Sequence, residues 1–163
     1  MRSYIKNSRD DVLLTVKNLP AGSSVRLAVM DRFDGNVWNL SDSTMSSDSS
    51  NYHRVGTSIT NNAEGKKFTA TFTVNKGLSD YWLPIAGAAS SVTFDNSENV
   101  DSFYYNSDTM SAIYPSRTSE GLTYTETGIM PAVPTDKQIT KANAASISQP
   151  KAEDVPDLSL IHI

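Results

Sequence analysis

Phe68-Thr69-Ala70-Thr71-Phe72-Thr73-Val74 alternates an apolar residue with a threonine along its whole length. Successive side chains of an extended chain point to opposite faces, so this stretch has one apolar face and one face of hydroxyls. That pattern predicts a half-buried strand in an antiparallel sheet with one solvated side. Towards the N-terminus, Val25, Leu27 and Val29 alternate with Arg26, Ala28 and Met30 and predict a second strand of the same kind. Val12-Leu13-Leu14-Thr15-Val16 predicts a more completely buried strand, and Leu19-Pro20-Ala21-Gly22 supplies a turn that would join these two into a first hairpin. Beyond them, Asp31-Arg32-Phe33-Asp34-Gly35-Asn36-Val37-Trp38 predicts a tight reversal flanked by strands, because glycine takes positive φ without a Cβ clash.

The rest of the chain keeps this texture. Tyr52 to Gly56 predicts a short strand and Asn61-Asn62-Ala63-Glu64-Gly65 a turn. Asp80-Tyr81-Trp82-Leu83-Pro84 ends on a proline that cannot donate to a ladder, which places it at an edge or a strand end. Further short strands are expected at Ser91 to Phe94, Asp101 to Tyr105, Met110 to Tyr114 and Leu122 to Glu126, with turns at the spacing of sandwiches and barrels. Ser41 to Asn51 has almost nothing to bury and reads as a surface loop. The expected fold is therefore all-β: an antiparallel β-sandwich-like domain over residues 8–128, after a lead-in of residues 1–7. Residues 129–157 read as a proline-containing linker, extended at first, with one short helix in Thr135 to Ala145 capped by Thr135 or Asp136.

Composition narrows the function. The chain has 163 residues, 38% of them hydrophobic, with no cysteine. That excludes a disulfide scaffold, a zinc-finger-type site and a cysteine nucleophile within it. Fourteen Lys and Arg against 18 Asp and Glu, with no basic run, argue against a nucleic-acid partner. The longest apolar run, Trp82 to Ala89, is far short of the ~20 residues of a membrane-spanning helix.

No motif supplies catalysis. His53 has no acidic or histidine companion at ligand spacing and reads as a surface-strand residue. Asp95, Ser97, Asn99 and Asp101 alternate oxygen-bearing side chains as a calcium loop does, yet lack the loop glycine and the closing bidentate glutamate. There is no Gly-x-Ser-x-Gly elbow and no phosphate-binding glycine loop. The neighbouring carboxylates Asp10-Asp11 and Glu153-Asp154 would face opposite ways on a strand. No catalytic, metal-binding or cofactor-binding residue is assigned, and no cofactor is expected. Trp38, Tyr81, Trp82, Tyr104, Tyr105 and Tyr114 could build a sugar-stacking platform, but strand aromatics ordinarily fill cores and rims, which is the preferred reading.

Leu158-Ser159-Leu160-Ile161-His162-Ile163 matches one translated frame of the transposase adaptor used in shotgun sequencing libraries. Residues 158–163 are therefore expected to be a sequencing artefact, with the native frame running on past Asp157.

Three blocks carry a family resemblance: Arg9 to Val16 with Leu19-Pro20-Ala21-Gly22, then Arg26 to Trp38, then Tyr81-Trp82-Leu83-Pro84. Together they resemble the segment before the catalytic core of bacterial membrane-anchored transglutaminase-like proteins, whose aromatic-Asp-Gly-x-x-Trp signature stands here as Phe33, Asp34, Gly35 and Trp38. Tyr104-Tyr105-Asn106 through Gly128-Ile129-Met130-Pro131, and Pro150 to Asp157, are similar to the approach to that core. The resemblance implies an extracytoplasmic β-rich domain, preceded by transmembrane helices and followed by a papain-like core with a Cys-His-Asp triad. No catalytic residue carries over, because the chain has no cysteine and ends before that core; Met1 is then expected to be an internal start. Phe33, Asp34, Gly35, Trp38, Tyr81, Trp82 and Pro84 are implied as structural residues, with a buried Trp38 worth about 3–5 kcal/mol. The expected role is a non-catalytic accessory domain that positions or regulates the missing core. Its partners would be that domain and a cell-wall or surface protein, with membrane contact only through the absent helices. The alternative is a free-standing cell-surface glycan- or peptide-binding β-module.

Overall fold

The computed structural model describes residues 8, 10–30, 32–33, 35, 38–39, 52–55, 58–96 and 103–143. The lead-in, the Ser41 to Asn51 loop, Ser97 to Asp101 of the calcium-like stretch and the 158–163 tail lie outside the described residues. The chain divides into two compact units, Met1–Val29 with Thr44–Ala132, and Met30–Ser43 with Val133–Ile163.

The first unit is built on the Phe68 to Val74 pattern. Strand β6, Gly65–Val74, is the longest, and Phe68, Ala70, Phe72 and Val74 are all buried, while Thr69, Thr71 and Thr73 point the other way. It lies between β1 (Leu14–Lys17) and β12 (Thr123–Pro131), and β12 pairs in turn with β9 (Ala88–Phe94), giving an antiparallel sheet of order β1-β6-β12-β9. On its outer face the hydroxyls of Thr69 and Thr127, Thr71 and Thr125, and Thr73 and Thr123 meet across the strands at 3.1, 3.3 and 3.3 Å. Such cross-strand pairs fix register, because a one-residue slip would turn every threonine inward.

A second antiparallel sheet has the order β5-β10-β11-β7, from His53–Arg54, Tyr104–Asn106, Ser111–Ile113 and Trp82–Leu83. Its Leu83, Phe103, Tyr105, Ala112 and Tyr114 share one core with the inner face of the first sheet. Phe94 sits at the join: its ring centroid lies 6.2 Å from Phe103, 5.5 Å from Tyr114 and 5.7 Å from Tyr124. The architecture is all-β and sandwich-like.

The N-terminal strands depart from expectation. Val25–Arg26 alone forms β2, which pairs with β8 (Ile85–Ala86), so no hairpin joins it to β1. The reason is local: Asn18 adopts φ 64 directly after β1, which breaks the strand. The Pro20-Ala21-Gly22 turn, closed by the Ser23 N–H on the Pro20 carbonyl, then leads the chain to β8 rather than back onto β1. Leu27 and Met30 are exposed outside any strand. Nor is Val12 to Val16 fully buried: β1 is an edge strand with alternate residues exposed, and Val12 before it is 69% exposed. Beyond Gly128, β12 runs on through Pro131, so residues 129–131, expected in the linker, pair with Lys67, Lys66 and Gly65.

In the second unit, β3 (Arg32–Phe33) and β4 (Trp38–Asn39) pair antiparallel, with Phe33 opposite Trp38 and Gly35 at φ 100 in the reversal, as the Asp-Gly signal predicts. Asp34 and the Phe33 and Trp38 side chains lie outside the described residues, and with them the expected burial of Trp38. Helix α1, Asp136–Lys141, starts where the cap residue predicts: the Thr135 hydroxyl accepts the Gln138 N–H, and the Gln138 side chain accepts the Thr135 N–H.

Candidate functional site

Arg117 lays its guanidinium over the Tyr81 ring, 4.3 Å from the centroid. Trp82 meets Tyr52 edge-to-face at 6.3 Å, and Pro84 offers its carbonyl to the Tyr124 hydroxyl. Pro84 follows β7, the edge strand of its sheet, where a missing N–H breaks no ladder. Tyr105 and Tyr114 are buried, so neither ring is open to a surface platform, and burial raises both phenols above their ordinary value. His53 is exposed on β5, opposite Tyr105. Asp95 and Asn96 are exposed. Among the described residues no three His, Asp or Glu side chains gather closely enough to share a metal ion.

The chemically unusual group is Glu126, which the sequence reading places only as the end of a strand. It lies in the middle of β12 with 0% exposure, facing the core. Its Oε2 accepts the Ala86 N–H at 2.8 Å, while Oε1 is buried without a partner. Burial pushes the carboxyl up to about 8, and the Ala86 N–H and the charge of Arg26 only partly offset it. Below that pH Glu126 is a neutral acid. Nearby, Arg26 donates to the Met110 carbonyl at 2.5 Å and to the Gly87 carbonyl at 3.4 Å. The Tyr105 hydroxyl accepts the Ala89 N–H at 3.2 Å, and Tyr124, stacked on Phe72 at 5.2 Å, is held well above the usual phenol range by burial.

A signal for Glu126 does exist in the sequence. Thr123, Thr125 and Thr127 alternate with Tyr124, Glu126 and Gly128, and matching these threonines to Thr73, Thr71 and Thr69 turns the even positions inward.

The family of the chain comes from comparison. A family model described as the TgpA N-terminal domain matches residues 1–134. The chain belongs to that family. The match spans both sheets and the Phe33 to Trp38 hairpin, and it agrees with the resemblance to the segment that precedes a transglutaminase-like core. A TgpA N-terminal domain is an accessory domain and not the catalytic core, in keeping with a chain that has no cysteine. No curated protein and no solved structure matches.

Proposed function

We propose that the chain is the non-catalytic accessory domain of a membrane-anchored transglutaminase-like protein, standing at the outer face of the bacterial membrane and positioning or regulating the catalytic domain that follows it. The observation that carries this reading is the family match over residues 1–134. The C-terminal segment supports it. Helix α1 has only six residues and buries none of them, and Val133 and Ile139 are 90% and 58% exposed. A helix this short is marginal by itself, so its apolar side chains gain from a partner, and chain order makes the following domain that partner. No helix among the described residues is long and apolar enough to cross a membrane.

The test uses the parent's catalytic domain, prepared with and without this chain fused ahead of it, and measures kcat/KM on a glutamine-containing peptide with an amine acceptor. The fusion is expected to change kcat/KM several-fold, and Ile139→Glu to reverse much of that change. Equal activity of the two forms, with no binding between the separate domains, overturns the reading. If soluble glycans or peptides then bind this chain with micromolar affinity, the free-standing binding module replaces it.

A further inference from the structure

Glu126 has no part in that reading, yet its surroundings are built around it. Every element packed on it contributes a definable group. Strand β2 supplies Arg26, β10 supplies Tyr105, and β12 itself supplies Tyr124, while β6 and β9 place Ala70 and Val92 beside it in register. Strand β8 supplies the Ala86 N–H. Both phenols lie above their ordinary value, so neither competes for the proton near neutrality. Arg26 is the cation whose charge acts on the carboxyl, and its Nη1 donates to the Met110 and Gly87 carbonyls.

Those two carbonyls belong to a corner and a turn between strands. Gly87 forms the corner between β8 and β9, at φ 49, and Met110 closes the Asn106 to Met110 turn at φ 50. Strand β2 is held to β8 by just two residue pairs, Val25 with Ala86 and Arg26 with Ile85. One guanidinium thus ties β2, the Gly87 corner and the 106–110 turn together.

We propose that Glu126 and Arg26 form a proton-controlled latch: with Glu126 neutral, Arg26 clamps these three segments, and when Glu126 gives its proton to solvent base, Arg26 leaves the carbonyls for the carboxylate and the segments loosen. The direction follows from the cost of an unpaired buried charge. A buried carboxylate with one amide donor and a second oxygen that has no partner is not tolerated unpaired, so its charge draws the guanidinium across. The rotation removes the bonds to Met110 and Gly87 while leaving the β6–β12 ladder intact, so the response is local opening and not global unfolding. That the carboxyl is lifted to about 8 puts the transition in an accessible range.

The experiment titrates the full 163-residue chain from pH 6 to pH 9.5, following glutamate carboxyl carbons by NMR and amide exchange in parallel, with exchange corrected for its intrinsic base catalysis. One glutamate is expected to titrate with a midpoint near 8. Over the same interval, protection at Val25, Arg26 and Ile85 is expected to fall at least about tenfold, while Phe72 and Thr125 keep theirs. Glu126→Gln removes this pH dependence, and Arg26→Met leaves β2 fast-exchanging at every pH with the carboxyl midpoint raised further. The latch is overturned if all glutamates titrate between pH 4 and 5, if the loss of protection persists in Glu126→Gln, or if it spreads equally over β6 and β12. Should Glu126→Gln fail to fold, the carboxyl titration and exchange pattern of the unaltered chain decide.

Discussion

Gly128→Ala tests the joint that the register of the main sheet depends on. The β12–β9 pairing shifts between Thr127 and Gly128, with Thr127 opposite Ser91 and Gly128 opposite Ala89, so Ser90 is the extra residue of a bulge. The bulge is satisfied from outside the ladder: the Ile59 N–H donates to the Ser90 carbonyl at 2.7 Å, and the Asn61 amide donates to the Ala89 carbonyl at 2.8 Å. At its centre a Cβ on Gly128 would sit 2.6 Å from the Ala88 carbonyl oxygen and 3.2 Å from the Ala89 Cα. Ordinary C···O contacts need about 3.3 Å, so backbone has to move by several tenths of an ångström, and no side chain can swing aside instead. Losing the two ladder pairs nearest the bulge costs about 1–3 kcal/mol, and residual overlap adds about 1 kcal/mol or more. Restricting the unfolded chain returns about 0.4–1 kcal/mol. The net loss is about 2–3 kcal/mol, a fall in Tm of about 5–15 °C for a domain of this size. Gly121→Ala is the control: Gly121 has φ 86 but nothing within 4 Å of its Cβ position, so it carries backbone strain of about 1–2 kcal/mol without a clash. Calorimetry of both variants separates the two effects. A Gly128→Ala melting point within about 3 °C of the unaltered chain, or above that of Gly121→Ala, refutes the close-approach argument.

Other consequences are independent of that joint. Phe72→Ala empties a fully buried site and removes the stack on Tyr124, so urea denaturation is expected to show a loss of about 3–5 kcal/mol; a loss below about 1 kcal/mol contradicts the packing. Glu126 makes stability fall with rising pH: its carboxyl is raised from 4.5 to about 8, so the folded chain holds a proton that the unfolded chain releases. The contribution is fully present below pH 4.5, declines by roughly 1 kcal/mol per pH unit up to about pH 8 and then levels off, and Glu126→Gln should flatten this component in urea titrations at a series of pH values. Thr135→Ala breaks the capping box of a helix that buries nothing, so exchange of the α1 amides should speed up about fivefold or more while the Tm stays within about 1 °C. A joint loss of Tm would mean that α1 is integral to the cooperative core.

How much the sequence discloses depends on whether local pattern or distant pairing decides an element. The Phe68 to Val74 alternation, the Asp-Gly reversal and the Thr135 cap are short-range choices, and each is realised where it is written. The β1–β2 hairpin fails because adjacency in sequence is a weak guide to pairing once a left-handed Asn18 redirects the chain; nothing in Val25 to Val29 announces that its partner is Ile85–Ala86, some sixty residues on. The apolar run Trp82 to Ala89 reads as one segment, yet it becomes three strand pieces bent at Pro84 and Gly87, because it passes from one sheet through β8 to the other.

Glu126 is the instructive omission. A strand that ends its visible alternation at a charged residue invites the inference that the residue faces water, since glutamate is almost never fully buried without a partner. Register overrides that inference. Shifting β12 by one residue would expose Glu126, but it would also bury Thr125 and Thr127, expose Tyr124, and break three cross-strand threonine pairs. Burying one carboxyl as its neutral acid, with an amide donor on one oxygen, costs less than that exchange. The threonine pairs therefore hold the carboxyl in the core, where only the Ala86 N–H meets it.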